Sequence, residues 1–281
     1  MRIDSHHHVW DLTVRPQDWI VGQAMQPLLR NFSLTDLRPL AASTAIDRTV
    51  IVQTVADPGE TPELLQLAAD DDFVAGVVGW LDLESPTLEM NLAAQLELPG
   101  AQKLVGIRDL AQYKDDSSWL ARPQVIAGLQ LLGKHGLTYD LLTVPPQLPA
   151  AIEAVQSCPE MLFVLDHLSK PRIASRVMQP WADQVRALSK LPNVACKVSG
   201  MFTEAEWDGW AVGDFRPYFD TLLNAFGPER LMFGSDWPVC TLAASYRQVI
   251  GTAEELTSDL SADEREQFWA GTATRFYRLE R

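Results

Sequence analysis

The sequence predicts an α/β protein built as a distorted (β/α)8 TIM barrel with long loops over one face. Three observations support this. Strand-like apolar runs recur eight times along the chain, and helical patterns fall between them. The β-branched run Thr49-Val50-Ile51-Val52 is continuous rather than alternating, as a strand covered on both faces requires. Eight parallel β/α units are the number that closes a barrel, and 281 residues match a barrel of roughly 250 residues in one domain. A single domain over residues 1–281 is therefore expected.

The strands are expected at 1–6, 49–54, 74–83, 104–108, 137–142, 161–167, 194–199 and 231–236. A first helix is expected over 34–42, where Ser33 can cap the exposed N–H groups. The next spans 61–69, with Pro62 in its first turn, where proline is tolerated. Further helices are expected over 86–96, stopped by Pro99-Gly100, and over 124–134, ended by His135-Gly136. The remaining ones cover 147–158, 181–191, 217–226 and 242–256. The last, 261–270, opens on the capping box Ser261-x-x-Glu264. Segments 11–32 and 201–216 are long for loops and are expected to act as lids over the active face.

Composition narrows the function. Apolar residues make up 47%, enough for a large core, and the net charge is −14. Such a surface repels nucleic acid and anionic membranes, and it tips the substrate towards a neutral small molecule. The three cysteines are too few and too scattered for a disulfide framework. The N-terminus has no signal-peptide pattern, and no run approaches the roughly 20 apolar residues of a membrane span. A cytoplasmic enzyme is expected, with a homodimer left open.

The stretch Ile3-Asp4-Ser5-His6-His7-His8-Val9-Trp10 concentrates chemistry. In an extended segment His6 and His8 share a face, while His7 points away. In a barrel the strand ends ring one mouth. That mouth would receive His6 and His8, Arg108, one of Tyr139 and Asp140 (with Tyr139 favoured), His167, Lys197 and Asp236. Trp10, Trp19 and Trp237 lie near it in sequence, and their faces suit the C–H faces of sugars.

His-x-His after strand one, a histidine ending strand six and Gly234-Ser235-Asp236-Trp237-Pro238 ending strand eight resemble the amidohydrolase superfamily. Several segments resemble its sugar-lactonase branch more narrowly: Val105-Gly106-Ile107-Arg108, Tyr139-Asp140-Leu141, Leu165-Asp166-His167 with Lys170-Pro171, Lys197-Val198-Ser199-Gly200, and Gly271 with Arg275-Phe276-Tyr277. The resemblance implies hydrolysis of a sugar-derived lactone by water attack on the ring ester. Asp236 would be the general base, or a metal ligand that also receives the water's proton. His6, His8 and Asp236 would hold one divalent metal, with zinc expected and metal-free catalysis left open. His167 would complete that shell or bind substrate, and Arg108 would stabilise charge on the carbonyl oxygen. Lys197, Tyr139, Trp10 and Trp237 would contact substrate. Binuclear relatives carry a bridging lysine or carboxylate on strand four and a histidine on strand five. This chain has Arg108 and no strand-five histidine, so two metals are not expected. The alternatives are a metal-dependent decarboxylase of an aromatic or unsaturated acid, a lactonase for a dicarboxylate or sulfo-lactone, and a barrel that only binds sugar.

Overall fold

The computed structural model describes residues 1–280. Eight parallel strands form one sheet in sequential order: β1 Ile3–His7, β2 Arg48–Val52, β3 Val74–Gly79, β4 Leu104–Asp109, β5 Thr138–Leu141, β6 Phe163–Leu165, β7 Val194–Val198 and β8 Leu231–Phe233. All eight fall within or beside the expected runs. The ring closes between β8 and β1 through loop backbone: Asp236 N–H donates to the His6 carbonyl at 2.8 Å and His8 N–H to the Trp237 carbonyl at 2.7 Å. Side chains reinforce the seam. Asp4 accepts from Ser235 N–H at 2.8 Å and from the Tyr246 hydroxyl at 3.0 Å.

Helices α1 Leu34–Ala42, α2 Glu60–Ala68, α3 Leu88–Leu96, α4 Pro123–Lys134, α5 Leu148–Ser157, α6 Trp181–Leu188, α7 Val212–Phe226 and α8 Tyr246–Leu256 surround the ring. Two helix starts show their cause directly. Ser33 N–H donates to Asp36 at 2.9 Å ahead of α1, and Ser261 N–H donates to Glu264 at 2.7 Å ahead of Ala262–Glu266. α7 departs from expectation, beginning five residues before Pro217. Asp214 accepts from Ala211 N–H at 2.9 Å and caps the earlier start. The second long loop therefore ends at 211, not 216. The final helix is also interrupted: a π turn, Gln267–Gly271, separates α9, Ala262–Glu266, from α10, Thr272–Phe276. Cys158, Cys196 and Cys240 are buried and free. Among the described residues, no helix is long and apolar enough to cross a membrane.

Side chains sort by strand parity. Ile51, Phe163, Leu165, Cys196 and Phe233 face the helices, while Val50, Val52, Val164, Ala195 and Met232 fill the ring interior. The interior is closed from the strand N-termini by the end of the chain. Phe276, Tyr277 and Leu279 pack into the inner cluster, and the Thr138 hydroxyl donates to the Phe276 carbonyl at 2.6 Å. From there the Tyr277 hydroxyl reaches both oxygens of Asp140, at 2.8 and 2.7 Å. Tyr277→Phe should lower unfolding free energy by about 1.5–3 kcal/mol, the range for a hydrogen bond to a charged group. Denaturant titration checks this; an unchanged midpoint and slope would show that the plug does not depend on the hydroxyl.

Candidate active site

The strand C-termini deliver four donor atoms to one point. His6 Nε2 lies 3.2 Å from His8 Nε2 and 3.8 Å from Asp236 Oδ1. His8 Nε2 and His167 Nε2 lie 3.5 and 3.8 Å from the same carboxylate oxygen. All four residues are buried. Donor atoms of His6, His167 and Asp236 fall within 4.8 Å of one another, an arrangement able to hold a metal ion.

β1 reaches this point through an irregularity. Its register against β2 shifts between Asp4 and His7, so Asp4 turns outward to Tyr246 while Ile3, below the shift, joins the inner cluster. His7 is buried away from the donors. Gly234 is required beside β1, since a Cβ there would stand 2.7 Å from the His6 Cβ.

His167 and Asp236 sit on strained backbone. His167, Leu168, Ser169 and Lys170 all have φ between 49° and 58°, and Asp236 has φ 59°. Left-handed conformation costs L-residues roughly 1–2 kcal/mol each. The surroundings hold the turn. Trp181 Nε1–H donates to the Leu168 carbonyl at 2.5 Å, and the Thr143 and Ser169 hydroxyls meet at 2.8 Å. Leu168 itself is fully buried. The turn lets consecutive residues serve one cavity: Asp166 lies below, inside the ring, and His167 above, at the mouth. His167 also lies against Gly200, where an added Cβ would come within 2.7 Å of its Nδ1.

A buried charge network underlies the donors. Lys197 Nζ lies 2.6 Å from Asp140, 3.0 Å from Asp166 and 3.1 Å from His6 Nδ1. Arg108 pairs with Asp166 at 3.0 Å and donates to the Gln53 carbonyl. Burial opposes ionisation of Asp166, yet Lys197, His6 and Arg108 hold its carboxyl well below the usual range. Burial likewise pushes Asp140 up, against Lys197 and Tyr277. Burial keeps His6 neutral, and it lowers His167 to about 4. For Asp236, burial acts upward but His167, His8 and Lys170 outweigh it, so its carboxyl is lowered.

The imidazoles suit metal binding because a second group engages each Nδ1. His8 Nδ1–H must donate to the Val52 carbonyl at 2.7 Å, which leaves a lone pair on Nε2. His167 Nδ1 meets the Ser199 hydroxyl at 2.9 Å. His6 Nδ1 faces both a pure donor, Lys197, and an acceptor, Asp166 at 3.4 Å. It can therefore place its proton on Nδ1 and offer Nε2 to a cation, or place it on Nε2 and donate to His8. Zinc ligands at 2.0–2.1 Å in a tetrahedron lie roughly 3.3 Å apart, close to the separations here.

Above the donors opens a cavity of about 150 Å³. Its floor includes His8, Arg108, His167 and Asp236. Trp19 and Met25 from the first long loop and Thr203, Glu204 and Trp207 from the second form its walls. Four expected substrate contacts lie elsewhere. Tyr139 is a correction: β5 turns Asp140 inward, so Tyr139 is buried in the helix-facing layer against Phe163. Lys197 is fully buried beneath the cavity. Trp10 packs on Trp19 and Phe32, and Trp237 packs on Phe32, so both brace the loop instead of lining the cavity. Asp166 and Tyr277 lie in segments that carry the family resemblance, but sequence pattern alone gives neither a role.

The comparisons with known proteins agree with this geometry. The amidohydrolase family profile matches residues 3–279. An L-fucono-1,5-lactonase from Burkholderia multivorans is 39% identical over 99% of this chain and 96% of its own. A second, from Burkholderia ambifaria, is 35% identical over 100% and 96%. A crystal structure of an amidohydrolase from Burkholderia multivorans with bound zinc superposes with a TM-score of 0.94, at 39% identity and full coverage of both chains. With its barrel, its strand-end donors and this match along nearly its whole length, the chain belongs to the amidohydrolase family.

Proposed function

We propose that this protein is a lactonase, a carboxylic ester hydrolase that opens a neutral sugar-derived lactone such as an L-fucono-1,5-lactone. The observation that carries the reading is the convergence of Asp236, three imidazoles and Arg108 at one small cavity. The two full-length lactonase relatives favour ester opening over decarboxylation. Asp236, kept ionised by its neighbours, takes a proton from the attacking water as the water oxygen bonds to the carbonyl carbon. Arg108 donates to the carbonyl oxygen as negative charge develops there. When the ring C–O bond breaks, Asp236 returns the proton to the leaving oxygen, which becomes the hydroxyl of the open acid. His167, held by Ser199 and Gly200, orients the substrate.

The metal in this reading is one zinc ion, held by His6, His8 and Asp236, which leaves a fourth position open towards the cavity. A zinc ion bound there would polarise the lactone carbonyl or lower the pKa of a water. A proton on His6 Nδ1, donated to Asp166, would leave its Nε2 free to ligate.

Asp236→Asn should reduce acid release from L-fucono-1,5-lactone at least about a hundredfold, the typical loss of a positioned proton acceptor. A pH-indicator assay checks this. Near-normal turnover would remove Asp236 from the reaction, and no release by the unaltered protein above the spontaneous rate, across a panel of aldonolactones, would overturn the lactonase reading. Elemental analysis of the purified protein should find about one zinc per chain. Chelation should abolish turnover and added zinc restore it. Full turnover by metal-free protein would assign catalysis to Asp236, Arg108 and His167 alone.

A further inference from the structure

The wall between the catalytic cavity and a larger outer chamber of about 730 Å³ carries two opposite charges that are incompletely paired. Lys170 and Glu204 line both spaces. Their Nζ and Oε1 atoms stand 3.9 Å apart, beyond hydrogen-bond reach, with side chains only 25% and 26% exposed. Among the described residues neither charged group has a hydrogen bond to another protein group. Each therefore has hydrogen-bonding capacity left for a ligand.

Both residues are held in place by their backbones. Lys170 closes the left-handed turn that begins at His167, and its N–H donates to the His167 carbonyl at 2.7 Å. Glu204 accepts from Ala174 N–H at 2.9 Å through its own carbonyl. Both side chains therefore start from backbone anchored beside the imidazole at the cavity floor.

We propose that Lys170 and Glu204 form a clamp for one substrate hydroxyl. The hydroxyl oxygen accepts from Lys170 while its proton is donated to Glu204. An oxygen about 2.8 Å from each atom fits a gap of this width. A hydroxyl is the group that both ends accept. A carboxylate or sulfonate would be repelled by Glu204, and an ammonium by Lys170. The clamp selects neutral polyhydroxylated rings over anionic or unsubstituted ones, and it extends the lactonase reading on which it rests to substrate selection.

The test uses a polyhydroxylated 1,5-lactam, whose ring resists hydrolysis, and δ-valerolactam as its unsubstituted counterpart. Calorimetry should show the hydroxylated lactam binding to the intact protein. Lys170→Met and Glu204→Gln should each weaken that binding about ten- to a hundredfold, the double variant adding little. In turnover, the ratio of kcat/KM for the hydroxylated lactone to that for δ-valerolactone should fall by a similar factor, mainly through KM. Equal losses on both lactones, unaltered lactam binding in both variants, or no lactam binding by the intact protein would overturn the clamp. Clamp-dependent lactam binding without acid release from any lactone would uphold the clamp and overturn the lactonase reading.

Discussion

One lysine holds the centre of this molecule. Lys197 is fully buried and touches Asp140, Asp166 and His6 at once, joining β7 to β5, β6 and β1 across the ring. An ammonium cannot sit in a dry interior without carboxylates around it, and those carboxylates cannot ionise there without it. The network is thus a single unit with few alternative arrangements. It holds the His6 ring by its Nδ1 and keeps Arg108 seated against Asp166. Tyr277, just past the end of α10, ties the same unit to the barrel floor. Foundation and catalytic face are joined by one hydrogen-bonded column through the ring.

Above that column the backbone is bent out of its comfortable range. Four consecutive residues after β6 are left-handed, and so is Asp236 after β8. Strain of this kind persists only where surrounding contacts over-determine the conformation. Here Trp181, Thr143 and buried Leu168 supply those contacts on one side, and the β1–β8 hydrogen bonds supply them on the other. The result is a carboxylate and an imidazole aimed at one point by backbone that cannot relax without unpacking the barrel.

Much of this was legible in the sequence, and the gaps have physical causes. Continuous apolar runs revealed the strands because both sheet faces are covered. The His-x-His spacing revealed its shared face because side chains alternate. Parity, however, gives a period without a phase, so Tyr139 and Asp140 could not be separated by pattern alone. The pairing register could have done it: Arg108 lies opposite Asp140, so an inward arginine implies an inward aspartate. Asp166 escaped because alternation allows only one of two neighbours to face the cavity. A left-handed turn breaks that rule and leaves no mark in residue type when the residues are not glycine. The start of α7 was hidden because Pro217 looks like a beginning, whereas Asp214 had already capped the helix upstream.

The surface charge gains meaning from the chemistry at the mouth. Ring opening converts a neutral lactone into a carboxylate. A net charge of −14 opposes that anion at long range, while a neutral substrate meets no such barrier on approach. Inside the cavity the balance is local: Arg108 and Lys170 stand near Asp236 and Glu204, so the developing charge is met at the reacting carbonyl and not held once the proton has been handed on. An acidic exterior around a locally compensated site therefore favours departure of the product over its return. The repulsion weakens with added salt, since screening acts on exposed charges far more than on the buried network.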